Sequence, residues 1–239
     1  MKMITKEKLS REARRLLFPP RCPSCDGLLA PDENSICRDC EKLVVKVQGN
    51  FCKTCGKPLK KRGEIICSDC SRYHHIFSEG RPLYEYEGPV REAVYRFKYK
   101  GRKSYADAFA YDAMELWGEW IKASAELIVP VPMNAKKLRQ RGYDQADVLA
   151  RAISVESGIP YMHLLDRVRK TVPMKALSRG ERQNNLKNAF QVRDFDVKLK
   201  RILLVDDIYT TGSTLDECTR VLLANGASEV NGIYISIGG

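Results

Sequence analysis

The sequence predicts an α/β domain built on a parallel sheet, preceded by a small N-terminal unit with its own means of holding together. Three observations predict this. Four C-x2-C pairs recur at constant spacing between Cys22 and Cys70. From about residue 80 strand-like and helix-like apolar runs alternate, the pattern of a parallel sheet covered on both faces. The stretch RILLVDDIYTTGST, residues 201–214, then drives a buried strand into two adjacent aspartates and a loop of hydroxyls and glycine.

The chain has 239 residues, enough for one medium domain and a small one. Its first twenty residues, MKMITKEKLSREARRLLFPP, read as a short amphipathic helix closed by Pro19 and Pro20. They lack the apolar core of a secretion signal, so a cytoplasmic location is expected. No run approaches the roughly 18 to 20 apolar residues of a membrane helix, so no membrane insertion is expected. The net charge of +11 suits a nucleic-acid or phosphate partner, and also simple solubility.

The cysteines define the N-terminal unit, residues 21–75. Eight of nine fall in the pairs Cys22/Cys25, Cys37/Cys40, Cys52/Cys55 and Cys67/Cys70, each starting fifteen residues after the last. Such spacing predicts two structural Zn²⁺ sites, each closed by four thiolates with no open position for catalysis. The segment CPSCDGLLAPDENSICRDC recurs as CKTCGKPLKKRGEIICSDC. A duplicated unit favours sequential sites, Cys22/Cys25/Cys37/Cys40 and Cys52/Cys55/Cys67/Cys70. A crossed arrangement joining first and third pairs remains open. His74 and His75 follow closely but are not needed as ligands. Cys218, alone in an apolar helical pattern, reads as a small core residue.

Residues 80–239 form the second domain. RPLYEYEG alternates as a strand and stops at Gly88–Pro89. PVREAVYRFKYKG follows as a helix with Val90, Ala93, Val94 and Phe97 on one face. SYADAFAYDAMELWGEWIKAS is a second helix, and ELIVPVP a short strand ending in prolines. KKLRQRGYDQADVLARAISVESG is polar at first, then helical to Gly158. RILLV is a buried strand, STLDECTRVLLANGA a helix stopped at Gly226, and VNGIYISI a last strand. Ligands of open sheets sit beyond the carboxyl ends of the strands, where VPVPMN and VDDIYTTGST both fall.

Two neighbouring carboxylates repel unless hydroxyls or a cation satisfy them. A ribose offers two neighbouring hydroxyls, one for Asp206 and one for Asp207. Thr210, Thr211, Gly212, Ser213 and Thr214 then lead into a helix whose N-terminal amides face outward, a cradle for a phosphate monoester. Together they specify a sugar diol a few ångströms from a terminal phosphate. A Walker B reading is excluded because no G-x4-G-K-[ST] stands anywhere in the chain.

LLVDDIYTTGST closely resembles the phosphoribosyl-pyrophosphate (PRPP) signature of type I phosphoribosyltransferases. With YRFKYKGR, the VPVP strand end, RQRGYDQA and LSRGERQNNLKNAF, the chain resembles, over nearly its whole length, the ComF family of competence-associated (ComFC/GntX-like) proteins. The resemblance implies a type I phosphoribosyltransferase-like domain behind a double zinc ribbon, PRPP or a related sugar phosphate with Mg²⁺, and a role in DNA uptake during transformation. Carried over by position, Asp206 and Asp207 hold the ribose diol and Thr210 to Thr214 the 5′-phosphate. The turn at Pro132, Met133 and Asn134 approaches the pyrophosphate through a strained or cis peptide. Arg139, Arg141, Gly142 and Gln145 contact pyrophosphate or substrate, and Arg182 and Asn185 lie in a loop over the site. The chain departs from the family pattern at Asp144, where Asn is usual, and at Met174, where Gln is usual three residues after Thr171. The resemblance therefore implies an intact PRPP half and an altered acceptor half.

Three functional readings follow. One is an enzyme that transfers a phosphoribosyl group. The chain offers no glutamine-hydrolysing module, which argues against nitrogen transfer from glutamine. The second is a single-stranded DNA-binding module whose PRPP pocket is a sensor or relic. Its track would run over KKR at 60–62 and over Tyr95, Phe97 and Tyr99 interleaved with Arg96, Lys98 and Lys100. Helical spacing keeps Tyr95 and Phe97 from both sharing one face with Tyr99, so the run is expected to be part core and part surface. The third is an adaptor docking DNA-uptake or recombination proteins.

Overall fold

The computed structural model describes residues 19–61, 63–169, 181, 185–193, 197–198 and 200–238. The expected N-terminal helix lies outside them apart from Pro19 and Pro20, as do Arg62, Thr171, Met174 and Arg182.

The duplicated cysteine units fold alike. Arg21 bridges Leu28 and Phe51 bridges Pro58, both antiparallel. The amides of Cys22 and Cys52 reach the carbonyls of Gly27 and Lys57, each at 2.8 Å. This tight turn forces one residue into the left-handed region, Asp26 at φ 64° in the first unit and Gly56 at φ 73° in the second. Only glycine fits the second turn, since a Cβ there would stand 2.2 Å from Pro82 Cδ and 2.8 Å from the Gly80 carbonyl. Short helices α1 (Arg38–Glu41) and α2 (Ser68–Arg72) carry the fourth cysteine of each unit.

The second domain holds a four-stranded parallel sheet of β1 (Gly80–Glu85), β2 (Leu127–Pro130), β5 (Arg201–Tyr209) and β6 (Glu229–Ile237), in the order β1-β6-β5-β2. A separate antiparallel pair, β3 (Leu165–Arg167) with β4 (Phe190–Val192), was not expected from the sequence. Each of its strands is three residues long, too short for a period-two signal. The helices are α3 (Gly88–Tyr99), α4 (Tyr105–Ser124), α5 (Ala135–Arg141), α6 (Gln145–Ser157) and α7 (Ser213–Ala224). Alternation along the strands splits the core in two. Leu203, Val205, Ile233 and Ile235 pack with α3, α4 and α6, while Ile202, Leu204 and Val230 pack with Cys218 and Leu222 of α7. Cys218 is thus the core residue its pattern suggested. No helix among the described residues is long and apolar enough to cross a membrane.

Polar contacts seat both cysteine units on this domain. Arg96 donates to the carbonyls of Ser24 and Pro23 at 2.8 and 3.2 Å. Asp26 accepts from Tyr105 Oη at 2.6 Å and from Arg102. Burial raises its pKa, but the Tyr105 bond and the Arg102 charge outweigh that and hold Asp26 below the usual carboxylate range. In the second unit, Tyr234 donates to the Cys55 carbonyl, and the Gly80 amide to that of Thr54 at 2.6 Å. The connecting chain lies along β1, with Val47 N on Leu83 O at 2.9 Å and Glu85 N on Val45 O at 3.0 Å, so the edge of β1 is covered.

Candidate functional site

A cleft of about 560 Å³ opens beyond the carboxyl end of β2 and beside the last part of β5. The strand carrying the aspartates is longer than expected. It stays paired with β6 through Tyr209, so Asp206 and Asp207 lie within β5 and not past its end. They reach the cleft because β2 stops first. Its last partner is Val205, and the Pro130–Pro132 segment turns away, leaving one side of β5 open at the acids.

The two acids differ. Burial, then the charge of Asp207, pushes Asp206 up to about 7, against a bond from the Asp207 amide at 2.8 Å and the Lys98 charge. Asp207 Oδ1 lies 2.9 Å from Lys98 Nζ, which reaches across from α3. Beyond them Gly212 turns at φ 76° into α7, and as the N-cap residue it offers no side chain to the helix's first amides. Thr210 to Leu215 enclose a hollow of about 20 Å³ there, with Thr211 Oγ1 3.0 Å from Ser213 Oγ. Asp206 borders both this hollow and the cleft, and Asp207, Thr210 and Thr214 border the cleft.

The opposite wall is basic. Lys98, Lys137, Arg141 and Arg167 all line the cleft. Desolvation, with the charges of Arg141, Arg167 and Lys98, pulls Lys137 below the usual lysine range, and desolvation likewise lowers Arg167. These converging cations, with Lys136 beside them, suit a polyanion. Lys137 and Arg167 were not singled out from the sequence, and Lys98 was expected on a DNA track and not in this cleft. Lys98 could have been placed here, since YRFKYKGR carried the resemblance, but Arg167 stands on the unforeseen strand β3.

The other expected contacts divide. Pro132, Met133, Asn134 and Arg141 line the cleft. Asn134 also caps α5, accepting from Lys136 N. The described peptide bonds are all trans and Met133 has no positive φ, which corrects the expectation of a strained or cis turn. Asp144 holds the turn instead: its Oδ2 accepts from Met133 N at 2.9 Å while Oδ1 caps α6, accepting from Ala146 N at 2.9 Å. An asparagine would lose one of these bonds, which gives the departure at Asp144 a structural reason. Burial leaves its pKa raised despite these bonds. Arg139 is exposed on α5 and Gly142 is its left-handed C-cap, neither lining the cleft. Gln145 is buried and accepts from Arg141 Nη1 at 2.7 Å, so it orients a cleft residue from behind. Asn185 is half-buried and away from the cleft lining, because it lies in the connection between β3 and β4 and not at the sheet ends.

On α3, Phe97 is wholly buried, whereas Tyr95 and Tyr99 are 48% and 53% exposed with ring centroids 5.2 Å apart. The guanidinium of Arg141 lies 4.8 Å from the Tyr99 ring centre. The aromatic run is therefore part core, part surface, and its surface part adjoins the cleft through Arg141.

The cysteines form two sequential tetrads, which overturns the crossed alternative. In each, the four sulfurs lie within 4.8 Å of one another. Cys25 and Cys37 sulfurs are 3.8 Å apart, and those of Cys55 and Cys67 3.7 Å. Tetrahedral Zn–S bonds of about 2.3 Å separate sulfurs by about 3.8 Å, so the residues fit zinc. His75 points away from its tetrad and bonds Asp216.

The family description Double zinc ribbon domain matches residues 13–71, and Phosphoribosyl transferase domain matches residues 133–237. Competence protein F of Haemophilus influenzae is 40% identical over 108 residues, covering 44% of this chain and 47% of that protein. Competence protein ComFC of Bacillus subtilis is 28% identical over 67% of each chain. The DNA utilization protein YhgH of Escherichia coli is 30% identical over 61% of this chain and 66% of its own. The chain thus spans under half the length of the first of these relatives and about two thirds of the others. A solved glutamine PRPP amidotransferase from B. subtilis aligns over 59% of this chain and 30% of its own, at 20% identity and a TM-score of 0.38.

The fold and its tetrads define a class: a phosphoribosyltransferase-type α/β domain joined to a double zinc ribbon. Within that class the chain is a ComFC-like protein.

Proposed function

We propose that this protein binds PRPP with Mg²⁺ in the cleft and acts on single-stranded DNA, or a piece of it, during DNA uptake. The observation that carries the reading is the juxtaposition of a strand-borne diacid, a helix N-terminus capped by glycine and a basic wall. Asp206 and Asp207 accept the ribose hydroxyls, Thr210 to Thr214 hold the 5′-phosphate, and Lys98, Lys137, Arg141 and Arg167 face the pyrophosphate. The donor set also fits Mg²⁺, a hard cation that takes carboxylate and phosphate oxygens. When bound it supplies charge neutralisation at the pyrophosphate, and Asp206 and Asp207 are the residues that would hold it. As the anomeric C–O bond breaks, pyrophosphate leaves with the electron pair, and the basic wall stabilises the charge that develops on it. A nucleophile's lone pair then forms the new bond at that carbon.

The names of the relatives, competence and DNA utilization, support the DNA role. Tyr95 and Tyr99 offer stacking faces, and Arg141 links them to the cleft. Calorimetry with PRPP and Mg²⁺, repeated with single-stranded DNA, tests the reading. Coupled binding is expected, and absence of PRPP binding sinks it. Pyrophosphate release separates a transferase from a second reading, a DNA-binding module in which PRPP is only sensed. The exposed Tyr95–Tyr99 pair favours that second reading if no release occurs.

A further inference from the structure

We infer that His75 is a positioning residue for the sugar-phosphate loop, so that the second zinc unit and the phosphate site form one mechanical element. The inference rests on the reading of Thr210–Thr214 as the 5′-phosphate site. His75 stands five residues beyond Cys70, on the chain leaving the second tetrad, and its side chain is fully buried. Its Nδ1 lies 2.9 Å from Asp216 Oδ2, and its Nε2 lies 3.1 Å from Tyr209 Oη. The next amide, Ile76 N, donates to Asp216 Oδ1 at 2.8 Å. Tyr209 ends β5 and Asp216 lies in the first turn of α7, so one imidazole ties together the two elements from which the loop hangs.

The loop backbone rests on this ring. A Cβ on Gly212 would stand 2.5 Å from His75 Cε1, 2.8 Å from its Nδ1 and 2.6 Å from Tyr209 Oη. Glycine is needed at this turn for contact as well as for its φ of +76°. Behind the imidazole the packing runs unbroken into the metal unit. The His75 and Phe77 ring centres are 4.7 Å apart, and Phe77, Tyr209 and Leu215 share a buried cluster with Cys52, Cys55, Cys67 and Cys70.

The arrangement also disposes of a charge. A carboxylate in the first turn of α7 competes with a phosphate for the positive end of the helix. His75 and Ile76 engage both oxygens of Asp216, which does not line the loop's hollow.

The test uses the zinc-loaded full chain carrying His75→Ala or His75→Asn, the latter keeping a polar group near the Nδ1 position. Zinc content, amide hydrogen exchange of residues 210–217, and binding of ribose 5-phosphate and of inorganic pyrophosphate are measured. The alanine variant should keep both zinc ions, exchange faster in that segment, and bind ribose 5-phosphate roughly tenfold more weakly, as loss of a buried hydrogen bond implies. Pyrophosphate binding should be unchanged, and His75→Asn should recover most of the loss. Unchanged exchange and binding, or an equal loss for both ligands, overturns the inference. Should the wild-type chain take no ribose 5-phosphate, the phosphate reading fails, and hydrogen exchange alone then decides whether His75 holds the loop. Asp216→Asn reports on the same strut if the alanine variant does not fold.

Discussion

Lys98 Nζ of α3 lies 2.9 Å from Asp207 Oδ1 of β5, each side chain only about one-sixth exposed, at 15% and 16%. One ion pair therefore joins a helix from before the phosphoribosyltransferase match to the acid pair inside it. The pair sits in an open cleft, so its strength falls between that of surface and buried pairs. A double-mutant cycle with Lys98→Met and Asp207→Asn, read by urea denaturation, should give a coupling of about 1–3 kcal/mol. A coupling near zero would mean that the contact does not hold α3 to the site.

Asp206 supplies a pH signature. Its folded pKa, about 7, lies above the ordinary carboxylate value. The folded chain thus keeps this proton to higher pH than the unfolded chain. Its contribution to stability is complete below about pH 4 and is lost as pH rises toward 7. Asp206→Asn should flatten this slope and stabilise the ligand-free chain at pH 8 by about 1 kcal/mol or more, measured by denaturation across pH 4–8. In the proposed function the ionised acid receives the ribose, so PRPP–Mg²⁺ binding to the wild type should tighten from pH 6 to 8. An Asn variant that kept this pH dependence would remove Asp206 from the role.

Two closed tetrads predict separable metal losses. Cys22→Ser should lower zinc to one ion per chain and spare the second site, and Cys52→Ser should do the converse, both by metal analysis. Removing both ions with a chelator should unfold residues 21–75, whose cores are small without metal. Loss of both ions from a single substitution would mean that the sites are not independent.

Position along α3 predicts opposite outcomes for neighbouring aromatics. Phe97→Ala empties a fully buried position and should cost about 3–5 kcal/mol of stability. Tyr99→Ala should leave stability within about 1 kcal/mol, because the ring is exposed. In the proposed function it should weaken single-stranded DNA binding by about 1–3 kcal/mol with little change in salt dependence. Arg141→Ala should instead reduce the salt slope. A Tyr99→Ala variant that binds DNA as tightly as wild type would exclude the stacking role.

Much of this was legible in the linear chain because local chemistry wrote it there. The cysteine spacing and its repeat contain both tetrads, since each zinc site is closed within nineteen consecutive residues. The strand, diacid, loop and helix of RILLVDDIYTTGST lie in chain order and fold as a unit. What tertiary structure alone decided are relationships across long separations. Asp206 and Asp207 open onto the cleft because β2 ends at Pro130, 76 residues before Asp206. Arg167 joins the basic wall through a three-residue strand with no periodic signal. His75, not needed as a ligand beside four cysteines, meets Asp216 141 residues away. Sequence patterns report which groups a segment must bury or expose. They do not report which distant segment meets them, because that depends on packing two cores and a metal-held unit around one sheet.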